Sequence, residues 1–274
     1  MATREPALNY QMIIADLMQR AAGPVSVQEL AAQMLSLLPS TSGAPQRAMR
    51  QHIRQAKGIY LVFLDQNTVL PIRLAFQGAR FRIPMEREIF DRGLLPVDDS
   101  LLSYLPNYFP QDKIQWFDVS GQPIQAPIQK ISQSVQSILG PSQAELSFAN
   151  LSAWYHAQKM HIKDHLLVTI LDWERGILQL ERELFGQRNE ALLAERNHLL
   201  AEMFFERLEA ATREDISVHE VLPLVYGLLP DKGGYPPNHW WDVLEADGRM
   251  DSNGRTIFYR DITMFSITWA VSGN

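Results

Sequence analysis

The chain carries two related copies of one stretch, and this repeat constrains its folding more than any other feature. Residues 25–46 read VSVQELAAQMLSLLPSTSGAPQ and residues 216–237 read ISVHEVLPLVYGLLPDKGGYPP; without gaps, eight of 22 positions are identical. The identities include punctuation residues, among them Ser26/Ser217, Glu29/Glu220, Pro39/Pro230, Gly43/Gly234 and Pro45/Pro236. Upstream, Ile13, Ile14 and Leu17 align with Phe204, Phe205 and Leu208 at the spacing of a helix face. A fold that contains two such units is the first expectation.

Each copy predicts the same elements. A first helix over about residues 8–21 or 190–211 leads into Ser26 or Ser217, which sits at an N-cap with Glu29 or Glu220 three residues on, the capping-box spacing. That helix stops near Pro39 or Pro230. A third helix covers about residues 45–57 or 237–247 and ends at Gly58 or Gly248. Two strand-like runs follow, turning at Asp65-Gln66-Asn67 or at Ser252-Asn253-Gly254. Three helices and a hairpin make a winged helix-turn-helix.

The middle reads differently. Asp118-Val-Ser-Gly121 and Glu174-Arg175-Gly176 are hairpin turns between apolar runs, residues 142–158 (SQAELSFANLSAWYHAQ) show strand then helix tendencies, and the Gln/Ser-rich residues 125–145 read as a long loop. The expected class is α+β: two winged-helix domains, basic at 1–84 and acidic at 187–274, flanking a small mainly-β barrel-like domain at 85–186.

Two resemblances support this plan. Residues 7–84, with their first helix, V-S-V-Q-E-L-A, basic helix and hairpin, resemble the HARE-HTH group of winged helices, found in chromatin factors, an RNA polymerase subunit and restriction enzymes. In the middle, Leu105-Pro-Asn-Tyr-Phe109, Trp116-Phe-Asp-Val-Ser-Gly121, Leu151-Ser-Ala-Trp154 and Met160-His-Ile-Lys-Asp164 follow an order similar to the plant B-three-type DNA-binding pseudobarrel, with Lys163 where that family has glycine. The resemblances imply DNA binding; no contact residue is carried over from the second.

Charge separates the two copies. Residues 1–90 hold ten Lys/Arg against six Asp/Glu, while residues 187–274 hold eight against fourteen. A winged helix presents its third helix to the major groove and its wing to the backbone. In the first copy Arg47, Arg50, Arg54 and Lys57 recur along one side of that helix, with Ala48, Met49, Ile53 and Ala56 left to face a core. Arg73, Arg80 and Arg82 follow. These seven cations are the expected nucleic-acid surface, double-stranded DNA being the expected ligand. In the second copy the third helix holds Asp242, Glu245 and Asp247 and no cation, a surface that repels phosphate. Trp240 and Trp241 are its expected protein-contact residues, for a partner or for self-association.

Other chemistry is not indicated. The absence of cysteine from all 274 residues excludes disulfide scaffolds, thiolate catalysis and cysteine zinc sites. No phosphate-loop, dinucleotide or nucleophile-elbow motif occurs, so no enzyme, metal or cofactor is expected. His161 and His165 read as structural or surface residues, and Glu174, Glu181 and Glu183 as ion-paired strand polarity. No apolar run reaches the roughly 20 residues of a membrane helix, and the start, MATREPALNYQMII, lacks a signal core, so a cytoplasmic protein without membrane partners is expected. The expected role is regulatory, in transcription or accessory to DNA defence; the alternative is a scaffold whose winged helices dock proteins.

Overall fold

The computed structural model describes residues 9–40, 42–85, 87–137 and 140–260. The chain begins with α1 (Tyr10–Arg20), β1 (Val25–Ser26), α2 (Val27–Leu37), α3 (Pro45–Gln55), β2 (Leu61–Phe63) and β3 (Thr68–Pro71). Asn9 caps α1 through Met12 N–H, and Ser26 caps α2 through Gln28 N–H at 3.2 Å. Met49, Ile53 and Ala56 are fully buried against Ile13, Ile14, Leu30 and Met34, so the apolar side read from the sequence is the packed one. This cluster is the interior of the amino-terminal unit.

The middle follows as α4 (Ile72–Phe76), β4 (Arg80–Pro84), α5 (Arg87–Asp91), β5 (Leu94–Pro96), α6 (Asp99–Leu102), β6 (Gln115–Asp118), β7 (Pro123–Ile124), β8 (Ile128–Ser137), β9 (Gly140–Asn150), α7 (Ser152–Ala157), β10 (His165–Asp172) and β11 (Ile177–Glu183). Its strands form a five-stranded sheet, β4-β10-β11-β6-β7, and a three-stranded sheet, β5-β9-β8. Both hairpin turns read from the sequence are present, at β6–β7 and β10–β11.

Two expectations are corrected here. The sheets are open, not a closed barrel. Closure depends on pairing between strands remote in sequence, which periodicity does not report. The stretch at 125–145 is also no long loop: β8 and β9 pair antiparallel from Ile128↔Ala149 to Ser137↔Gly140. A polar strand lacks the apolar alternation by which strands are recognised.

The chain closes with α8 (Glu190–Glu209), β12 (Asp215–Ser217), α9 (Val218–Leu228), α10 (Trp240–Asp247), β13 (Met250–Ser252) and β14 (Thr256–Tyr259). The two ends share one topology. Their sheets run β1-β3-β2 and β12-β14-β13. The turn of each hairpin accepts from the first residue of the second helix: Val27 N–H to Asn67 O and Val218 N–H to Arg255 O, both 2.8 Å. Gly58 and Gly248 follow the third helices at φ 74° and 78°, a left-handed geometry that other residues adopt only with strain. The copies differ in detail. Ser217 makes no side-chain cap bond, and Glu220 reaches Lys57 instead of its own helix start.

They differ more in their cores. Phe204, Leu222, Tyr226, Trp240 and Leu244 at the carboxyl end bury in one cluster with Phe81, Leu166 and Leu180 of the five-stranded sheet. The amino-terminal unit keeps its own cluster and meets this larger one through Val62, Leu70, Ile72 and Phe76.

Candidate nucleic-acid interface

Helix α3 begins with Pro45 at its first turn, where a missing N–H costs nothing. Its buried side fixes the rotation about its axis, and Arg47, Arg50 and Arg54 consequently point outward. All three are exposed and, among the described residues, have no carboxylate partner. Tyr10 stacks on His52 at 4.4 Å and holds the helix against α1. Lys57, just past the helix, is exposed but forms an ion pair of 2.6 Å with Glu220 at the start of α9.

Arg50, Arg54 and Lys57 line a groove of about 980 Å³ together with Asp65 and Asn67 of the β2–β3 turn and Arg207 near the end of α8. Arg207 was not foreseen. It lies between Glu206 and Glu209 on a helix rich in acids, so its local charge average is negative. Among the described residues it too lacks a carboxylate partner, which makes the groove's net character cationic.

The remaining predicted cations are committed elsewhere, and the expectation for them is corrected. Arg73 donates from Nε to Met18 O at 3.2 Å and from Nη2 to Gln19 O at 2.8 Å and to Ala21 O, closing the carboxyl end of α1, where carbonyls lack helical partners. Arg80 and Arg82 lie on β4, the edge strand of the five-stranded sheet. Arg80 pairs with Glu181 at 2.8 Å. Arg82 is wholly buried, bound in bidentate fashion to Glu183 at 2.6 and 2.7 Å and donating to Pro236 O. A guanidinium sealed this way cannot reach a phosphate. Arg73→Ala is expected to lower stability by about 1–3 kcal/mol, through lost charged hydrogen bonds, without changing nucleic-acid affinity; urea unfolding and a binding titration check both.

The tryptophans divide. Trp240 is completely buried, its indole N–H donating to Ser100 O and Ser103 Oγ at 3.0 and 2.9 Å, so it is an internal anchor and not a partner surface. Trp241 is half-buried and packs at 5.6 Å on Trp240. His165 and His239 are held neutral near pH 7, burial pushing both down to about 4. His165 faces Arg188 at 2.9 Å. Among the described residues no group of three or more His, Asp or Glu is placed to hold a metal ion, and no helix is long and apolar enough to cross a membrane.

No family model matches this chain, and no curated protein matches it. Among solved structures, a hypothetical protein of Arabidopsis thaliana matches at 15% identity with a TM-score of 0.26, covering 38% of this chain and 87% of that one. Likeness at that level says nothing about function.

Proposed function

We propose that the protein binds nucleic acid through the outward side of α3, the amino-terminal unit acting as a winged helix with its β2–β3 hairpin as the wing, in a regulatory or DNA-defence role. One observation carries this reading. Of the seven cations in the amino-terminal third singled out by spacing, Arg47, Arg50 and Arg54 alone stay exposed without a carboxylate partner among the described residues, and they share one helix face. Unpaired arginines held on a rigid element hold phosphates at low reorganisation cost. The counterpart of α3 at the carboxyl end, α10, holds no cation: Glu245 is exposed, and Asp247 is nearly buried and paired with Arg249 at 2.7 Å.

The test is a salt titration of binding, on duplex and single-stranded DNA, for the wild type and for Arg50→Ala combined with Arg54→Ala. Loss of two phosphate contacts lowers the slope of log K against log salt by about two. An unchanged slope and affinity would reject the assigned surface.

A further inference from the structure

Tyr108 stands out among the described aromatics. Its ring is fully exposed (102%), and its backbone sits at φ 61°, a left-handed conformation uncommon for a bulky residue. The residues around it are fastened. Phe109 N–H closes a turn onto Pro106 O at 2.9 Å, and the Phe109 ring lies so close over Gly176 that a Cβ there would meet it at 2.4 Å. On the other flank Asn107 Nδ2 donates to Gly58 O at 3.3 Å. Gly58 follows Lys57, at the end of α3 that borders the cationic groove. An aromatic ring left in water on a turn anchored at both sides is preorganised for a flat ligand, and backbone outliers of this kind concentrate at functional sites.

We propose that Tyr108 is a stacking platform for a nucleobase and that the nucleic acid bound beside α3 is a strand with unpaired bases. The inference rests on the nucleic-acid reading above and names its ligand class more narrowly. Phosphates would lie along Arg50 and Arg54 and a base would lie on the phenol ring. This pairs a cationic groove with an aromatic face, the combination that single strands use and that is indifferent to base identity. The groove supports it, because Arg207 of α8 lines it together with the α3 arginines. Cations from two elements lining one groove can follow the backbone of a single strand.

Fluorescence anisotropy with a short oligothymidylate, an abasic strand of the same length and a duplex tests the proposal on the full chain. The wild type is expected to bind oligothymidylate about ten-fold more tightly than the abasic strand. Tyr108→Ala should abolish that preference, leaving both strands at the abasic affinity, while Tyr108→Phe retains it. Arg50→Ala with Arg54→Ala should weaken both strands by the same factor. Equal wild-type binding of the two strands, a preference that survives Tyr108→Ala, or a duplex bound more tightly than either with no response at Tyr108 would overturn the stacking role and leave phosphate binding intact. Binding of no probe at all would overturn the nucleic-acid reading and this inference together.

Discussion

A Glu183→Ala variant is expected to lose about 3–5 kcal/mol of unfolding free energy, the range for removing one partner of a buried ion pair. Arg82 has no exposed surface, and Glu183 receives two of its guanidinium bonds, at 2.6 and 2.7 Å. With the carboxylate gone, the charge keeps only Pro236 O, at 2.6 Å, and the face of Tyr235 at 4.9 Å. The cost therefore arises from the guanidinium left behind more than from the lost bond. Arg82→Met combined with Glu183→Leu removes both charges and should recover most of the loss. Urea unfolding of the three variants decides the matter; a loss under about 1 kcal/mol for Glu183→Ala would show that solvent reaches the pair.

Trp240→Ala is expected to cost a similar amount, about 3–5 kcal/mol, as for other large aromatics removed from a core. Its indole is completely buried beside His239 and Trp241, at ring separations of 5.8 and 5.6 Å. Truncation leaves a void and deprives the buried Ser103 Oγ of its 2.9 Å donor. It also loosens the aromatic group that joins α10 to the central sheet. There Phe81 stacks on Tyr104 at 4.0 Å, and the Tyr104 hydroxyl lies 3.2 Å from that of Tyr226. Trp241→Ala, at the half-buried neighbour, should cost clearly less. Thermal unfolding of the pair separates an internal anchor from a surface residue; equal losses would contradict the assignment.

The local grammar of the fold was legible in the sequence. Ser26, Gly58, Gly248 and the Asp118–Gly121 turn act where their chemistry placed them, because caps and turns involve neighbours a few residues apart. The apolar side of α3 was legible for the same reason, as Met49 and Ile53 declare it by spacing. What could not be read was the fate of individual charges. Arg54 and Arg82 look alike on a charge map, yet Arg82 is claimed by a carboxylate 101 positions along the chain. Only tertiary pairing distinguishes an available cation from a spent one. The same holds for Trp240, whose acceptors lie 140 and 137 positions away. Arg207 is illegible for the opposite reason: it sits among glutamates on its own helix yet lines the same groove as the α3 arginines.

The unequal cores of the two ends set how freely each can change. The amino-terminal copy encloses its own apolar cluster, whereas the carboxyl-terminal copy merges its interior with the five-stranded sheet. The carboxyl-terminal end is masonry, its aromatic residues walled into the neighbouring layer and not free to change without disturbing it. The other remains a nearly self-contained block, whose outer face can drift toward new ligands at little expense to the rest.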